Sequence, residues 1–351
     1  MKKIYFILLF TWCQVLAFSQ NGGQQVFAFL NQTNTGARIA AMGGDFLTIK
    51  DNDISLALAN PSLITAEMHN RMNVNIVDYF HKAGYGYVSY GRSFEKYGNF
   101  VASIQSINYG VFRGTDHTGE EDGDFYANDI AMNIGWARSL SEKISLGANL
   151  KFISSFYERY SAFGAGVDVA VTYYDPDTRF SSSLIMKNFG RSFKAYADDT
   201  DWLPFEIQWG FAKRLEHLPF TYSILINDMQ RWNLRYDDDK IEFDPMTGDT
   251  IAVNQLGRFV DNLARHFVVG GEMKIHNNLS LRIGYNYKRR QELKTLSRKS
   301  LIGFAWGFEI RVKKFRLAYA RSSYHLAGAP NFLSITTNLS DLFGRSVRVV
   351  E

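Results

Sequence analysis

The chain has 351 residues and a formal charge of +4, with 28 Phe, 19 Tyr, 6 Trp and 28 Gly against only 6 Pro and one Cys. A 15% aromatic and 46% hydrophobic content excludes a disordered or collagen-like polypeptide, and interspersed charges of both signs leave no basic stripe for nucleic acid. The mean hydropathy of -0.19 looks water-compatible, and with no Pro/Ser-rich linker to divide the chain, one large β structure is favoured.

The first element is an export signal. Lys2 and Lys3 precede the apolar runs Ile4 to Phe10 and Val15 to Phe18, and Ala17 and Ser19 stand at the small-residue positions for cleavage before Gln20. Residues 1–19 therefore read as a Sec signal peptide. A membrane anchor fits less well, because Thr11 and Gln14 interrupt a stretch shorter than the ~20 residues a helical span needs. Cys13 lacks the small residue before it that lipoprotein acylation requires. Removing residues 1–19 takes away two lysines and no acid, lowers the charge to +2 and leaves no cysteine for redox or metal-thiolate chemistry.

Residues 20–70 do not alternate. Arg38 to Gly44 is a small-residue helix or turn, and Asp53 to Leu58 a second short helix with Asp51 or Asp53 as N-cap, stopped at Asn60-Pro61.

From residue 71 the dominant signal is period two. Leu279, Leu281, Ile283, Tyr285 and Tyr287 alternate with Ser280, Arg282, Gly284, Asn286 and Lys288, and the same pattern holds over Ile144 to Phe152, Phe205 to Phe211 and Ile302 to Ile310. Fourteen such segments fall at about 71–80, 83–92, 98–110, 126–138, 143–155, 161–174, 179–189, 203–214, 219–228, 263–275, 278–289, 300–312, 314–323 and 331–343. Every second link is short, whereas 110–125, 190–202, 228–262, 289–299 and 323–330 are longer and wetter, the tight exception lying near His81 and Lys82. An even strand count with this asymmetry predicts an all-β, 14-stranded antiparallel transmembrane β-barrel over 71–351, in the cell outer membrane, with periplasmic termini and long extracellular loops at 110–125, 190–202 and 228–262. A soluble β-sandwich would put Lys and Glu on its polar face; here bulky rings and branched chains oppose Gly, Ala, Ser and Asn, the inverse pattern. Eight strands already enclose a space about as wide as side chains can fill, so fourteen with small inward residues leave room for residues 20–70 as a plug or hatch.

The inward charges Asp168, Glu206, Arg282, Glu309 and Arg316 are expected to pair with one another or with Arg38 of the plug, as buried charges must. The seven histidines scatter at links and one strand start with no ligand spacing, and no Ser/His elbow or paired motif supports a hydrolase, so no metal, cofactor or catalytic site is expected. Asp51-Asn52-Asp53 begins like a calcium loop but places Leu56 where Gly is required and Ser62 where the bidentate Glu belongs. In the 35-residue link 228–262, Lys240 to Phe243 and Thr250 to Val253 flank Asp244 to Asp249, which reads as a projecting β-hairpin; Trp232, Tyr236, Phe243, Asp244 and Gly248 make it a candidate partner contact.

Val26 to Asn31, Gly36 to Gly44, Asp51-Asn52-Asp53 and Asn60-Pro61-Ser62-Leu63 together resemble the N-terminus of the PorQ family of the type IX secretion system, a relative of PorV, and more broadly the hatch of the fatty-acid-transporter (FadL) type of fourteen-stranded barrel. The hatch positions that carry the likeness are Gly36, Arg38, Gly43, Gly44, Asp51, Asp53, Asn60 and Pro61. The PorQ resemblance implies a non-enzymatic scaffold of the cell-surface attachment complex, with PorU-like and PorV-like proteins. It would hold a PorZ-like partner while cargo is joined to lipopolysaccharide, with outer-membrane lipid around the barrel. The FadL likeness implies instead a channel for hydrophobic small molecules.

Overall fold

The computed structural model describes residues 27, 29–32, 36–44, 48–78, 83–115, 117–196, 202–235, 255–293, 301–324 and 328–344. Its strands are β1 (Arg71–Asp78), β2 (Gly84–Phe94), β3 (Gly98–Thr115), β4 (Glu121–Ser139), β5 (Ile144–Tyr157), β6 (Tyr160–Asp175) and β7 (Phe180–Lys194), followed by β8 (Glu206–Arg214), β9 (Phe220–Ile226), β10 (Phe267–His276), β11 (Leu279–Asn286), β12 (Phe304–Val312), β13 (Phe315–Ser322) and β14 (Asn331–Asn338). Each pairs antiparallel with its sequence neighbours, and β1 closes on β14 from Arg71↔Asn338 to Asp78↔Asn331. Closure leaves no strand edge unpaired, the condition for a sheet to stand in lipid. All fourteen expected strands are present.

The two faces of the wall separate by parity. On β1, Asn73 and Asn75 are buried and Ile76 is exposed; on β11, Arg282, Gly284 and Asn286 are buried while Leu281 and Ile283 are exposed. Polar and small residues point inward, and rings and branched chains outward. In water that order would be unfavourable, but against acyl chains it buries the apolar belt. The barrel has a turn side, where strands meet through links such as Tyr97, Lys313 to Lys314 and Asn277 to Asn278, and a loop side carrying the other connections.

Several strand ends differ from the alternation reading. The expected loop 110–125 is mostly ladder, paired out to Thr115↔Glu121, with Phe112 and Phe125 stacked at 5.3 Å between ring centroids. Likewise β7 runs to Lys194 on β6, shortening the expected loop 190–202. Both extensions mix charged, small and aromatic residues, Arg113-Gly114-Thr115 on β3 and Arg191-Ser192-Phe193-Lys194 on β7, so the alternation fades although the hydrogen-bonded ribbon continues. At the start of β10, a helix over Gln255–Arg265 replaces the expected strand residues 263–265, and Tyr287–Leu293 turns into a helix where β11 was expected to continue. The final strand stops at Asn338, whose side chain accepts the Ser340 N–H and caps the helix Leu339–Leu342, so Phe343 lies past the strand at 79% exposure. The signal peptide and the hairpin residues Tyr236, Phe243, Asp244 and Gly248 lie outside the described residues.

Candidate functional site

The described residues between 27 and 70 pack against the inner face of the wall. The helix Ala37–Ala41 lies along β11 to β14, and the 3-10 turns Ile54–Leu56, Pro61–Leu63 and Ala66–Met68 lie along β1, β2 and β4 to β6. Small residues make this approach possible. A Cβ added at Gly284 would come within 2.1 Å of the Met42 carbonyl carbon, and one at Gly147 within 2.4 Å of the Pro61 carbonyl carbon. Gly43 takes φ +77, a left-handed conformation that favours glycine, and its carbonyl accepts the Asn286 Nδ2 at 3.2 Å. Gly36 is buried beneath Asn75 and Tyr87, and Gly44 is buried next to Gly43.

Arg38 anchors this segment. It is 3% exposed and donates to Asp51 at 2.8 and 2.6 Å, to Asp53 at 2.9 Å and to Glu272 of β10 at 3.0 and 3.1 Å. Glu272 also accepts from Arg282 of β11 at 2.7 Å, and Arg282 reaches Glu309 of β12 at 2.7 Å. Arg38 is thus the innermost member of an alternating ladder of charges that crosses three strands. The helix start is fixed beside it, where the Ala37 N–H donates to Ser334 Oγ at 3.0 Å. Asp53 caps the Ile54–Leu56 turn through the Ser55 N–H at 3.0 Å. Burial alone would push its carboxyl up, but Arg38 and Arg316 outweigh burial and hold it below the usual carboxylate range.

The other sequence candidates fall in different places. Asn60 accepts from the Ser62 hydroxyl at 2.6 Å, Ser62 meets Thr172 of β6 at 2.6 Å, and Pro61 opens its turn as a first helical residue. Asp168 does not join the Arg38 ladder; it pairs with Lys151 at 2.8 Å and accepts the Asn188 N–H at 2.8 Å across a bulge between β6 and β7. Glu206 accepts from Gln208 at 2.7 Å. Arg316 faces Arg311 across β12 and β13. Trp232 is 57% exposed beside the helix Gln255–Arg265, its ring 5.7 Å from that of Phe259 and its carbonyl accepting the Asn262 Nδ2 at 2.6 Å.

Glu272, Lys151 and Asp129 were not among the sequence candidates. Glu272 shares inward parity with Val268 and Gly270, so period two could have identified it. Asp129 accepts from the Tyr109 hydroxyl at 2.7 Å, from Tyr157 at 3.0 Å and from Ser155, which in turn takes the Tyr196 hydroxyl. Its tyrosines are spread over three elements and carried no local signal.

Together these contacts divide the lumen along its axis. The turn-side half holds the Arg38 ladder and a polar cavity of about 250 Å³ reaching Lys50, Asp51 and Glu272. On the loop side Phe27, Phe29 and Leu58 form an apolar cluster with Val77, Ile107 and Phe332, next to the buried Asp129 and its tyrosines. Among the described residues no group of three His, Cys, Asp or Glu side chains is placed to hold a metal.

Comparisons with family models and with curated proteins found no match. Among solved structures, the Ralstonia pickettii toluene transporter TbuX superposes with a TM-score of 0.52 at 10% identity, covering 88% of this chain and 99% of that one. The Pseudomonas putida toluene transporter TodX gives 0.50 at 14% identity over 89% and 98%. A TodX deltaS2S3 mutant, described as a monoaromatic hydrocarbon channel, gives 0.52 at 13% identity over 86% and 98%. At these identities the likeness is one of fold: the chain is similar to FadL-like outer-membrane barrels, closed and fourteen-stranded.

Proposed function

We propose that this chain is a non-enzymatic outer-membrane barrel that serves as a scaffold of the type IX attachment complex, holding a PorZ-like surface partner alongside PorU-like and PorV-like proteins. The observation that carries the reading is the filled lumen. The segment after residue 27 is tied to the wall by Arg38, and the cavity of about 250 Å³ beside it is lined by Lys50, Asp51, Arg179, Arg214, Glu272 and Lys274. A scaffold needs a rigid, closed body, and the PorQ-like motifs of Gly36 to Gly44 and Asn60-Pro61 are the residues that build this closure. Export through the Sec pathway and periplasmic termini belong to the same reading, with the loop side at the cell surface.

A second reading, a channel for hydrophobic small molecules, has the more direct support of the comparisons, since solved structures of similar fold are described as toluene transporters. The apolar cluster of Phe27, Phe29, Val77, Ile107 and Phe332 on the loop side favours it. A channel must release the Phe27 and Phe29 cluster to let a solute pass; a scaffold keeps it packed.

The two are separated by affinity capture of the tagged protein from detergent-solubilised outer membrane, beside uptake of a labelled fatty acid and labelled toluene in cells with and without the gene. The scaffold reading expects co-recovery of a large PorZ-like surface protein and gene-independent uptake. Gene-dependent uptake with no partner would establish the channel instead. Deleting Lys240 to Val253 is expected to leave insertion intact and abolish partner recovery.

A further inference from the structure

Three arginines cluster on one arc of the turn-side rim, over β12, β13 and β1, and none of them forms a salt bridge among the described residues. Arg71 opens β1, Arg311 lies near the end of β12 and Arg316 near the start of β13. By parity with Asn73 and Glu309, Arg71 and Arg311 take inward positions. Arg311 and Arg316 are direct cross-strand partners, and Arg316 faces Thr336 of β14. Like charges set directly opposite destabilise a sheet, so folding alone does not account for the pair.

The nearby inward acids have closer partners, although Asp53 also feels the charge of Arg316. Glu309 is held by Arg282 at 2.7 Å and Asp53 by Arg38 at 2.9 Å, while the Arg71 guanidinium donates to the Asn52 carbonyl at 2.7 Å. Among the described residues none of the three arginines has a salt bridge. They line an open cavity of about 230 Å³ together with Lys313 and Lys314, the one acid on its wall being Asp341. Five cations against one carboxylate give the cavity a strongly positive field. Arg316 and Thr336 also line the small gap beside Arg38 and Asp53, so the mouth leads directly to the group that anchors the N-terminal segment.

We propose that the turn-side mouth binds a phosphate-bearing anion between Arg71, Arg311 and Arg316. Planar guanidinium forks match phosphate oxygens in pairs and stay charged at any physiological pH. Bound there, the anion relieves the repulsion between Arg311 and Arg316 and adds order next to Asp53. The phosphate could be free in solution or part of an anionic lipid headgroup at the rim.

The test uses the purified full barrel and needs no partner, so it stands apart from the scaffold reading. In neutral detergent, calorimetry with inorganic phosphate at constant ionic strength reads the soluble source. Native mass spectrometry from phosphatidylglycerol nanodiscs reads retained headgroup. Saturable phosphate binding, weakened roughly tenfold or more by Arg311→Gln and by Arg316→Gln but unchanged by Arg159→Gln on the opposite rim, assigns a soluble anion. Retained phosphatidylglycerol lost in the same variants, without phosphate binding, assigns the headgroup. Absence of both, or variants that bind as wild type does, overturns the site. Ligand-free Arg311→Gln is expected to melt no lower than wild type, because it removes a like-charge contact; a fall of several degrees would mark the arginine as structural and overturn the proposal. Arg311→Lys keeps the charge but loses the fork, and is expected to bind phosphate with intermediate affinity.

Discussion

Replacing Arg38 by Met tests whether the charge ladder holds the N-terminal segment in the lumen. Met keeps much of the volume and the helix propensity while removing every donor. Three carboxylates lose a partner, but unequally. Asp51 is 25% exposed and can hydrate, and Glu272 keeps Arg282 at 2.7 Å, so the penalty falls on Asp53, whose side chain is 6% exposed. Stripping one partner from a buried pair costs about 3–5 kcal/mol; with Arg316 and the Ser55 N–H still facing Asp53, the lower end, about 3 kcal/mol, applies here. Because the wall is independently hydrogen-bonded, the loss is expected as local opening and not as barrel unfolding.

Hydrogen exchange in detergent measures this directly. The Ala40 amide, bonded to Gly36, and the Leu56 amide, bonded to Asp53, report the segment, while amides of β4 and β5 serve as internal standard. A penalty of about 3 kcal/mol accelerates segment exchange roughly a hundredfold with the strands unchanged. The pH dependence is expected to differ between the two proteins. In the wild type the Asp53 carboxyl is held below its ordinary range, so its contribution is fully present above about pH 4 and is lost as pH falls through the lowered value. Without Arg38 the largest opposing charge is gone and burial weighs more heavily on the carboxyl, so the acid-induced loss of segment protection is expected to be smaller than in the wild type. Segment exchange unchanged by the substitution, or an acid response as steep as that of the wild type, would refute the anchoring role of Arg38.

Gly284→Ala puts a methyl against the Met42 and Gly43 backbone, where nothing flexible can yield; a loss of about 1–3 kcal/mol in segment protection, with normal membrane insertion, is expected by the same exchange measurement. Lys151→Met leaves Asp168, at 0% exposure, without its cation; here the wall itself should weaken by about 3 kcal/mol or more, read as a lower urea midpoint for the barrel. On the helix Gln255–Arg265, Leu256, Phe259, Val260 and Leu263 form one stripe turned away from the protein, while Asp261 and Asn262 bond to Tyr287, Arg265 and the Trp232 carbonyl. Leu256→Cys and Phe259→Cys in the mature chain, each carrying an environment-sensitive dye, are expected to be quenched by brominated lipid and shielded from iodide. The reverse pattern would place that stripe in water.

The parts of the fold legible from residues alone are those where the two faces of a strand meet different media. Within the belt, lipid outside and packed polar groups inside impose opposite chemistry on successive residues, so Leu281, Ile283 and Tyr285 separate cleanly from Arg282 and Gly284. Beyond the belt the contrast is gone. The β3 and β4 extension to Thr115↔Glu121 is held by backbone bonds and by cross-strand contacts such as Phe112 with Phe125, pairings that are visible only once the two strands are in register, so its sequence has the look of a loop. The helix before β10 was obscured differently: Leu263 belongs to both its i, i+3, i+4 stripe and the period-two run that follows, and the strand pattern was carried too far back. The interior follows a third rule. Arg38 stood out because it sits among alanines and glycines that cannot shield it, which required partners. Which partners is a matter of closure, since Glu272 lies 234 residues away in sequence and reaches Arg38 only when β10 is placed in the ring. A charged ladder at the turn side and an apolar cluster at the loop side then follow from the same segment being threaded through one wall: its polar residues, Arg38, Asp51 and Asp53, lie where inward arginines and glutamates gather, and Phe27 and Phe29 lie where the inward wall offers Val77, Ile107 and Phe332. Reversing the segment would bury its phenylalanines among charges and leave its charges in an apolar cluster, so one orientation of the segment is selected before any partner is bound.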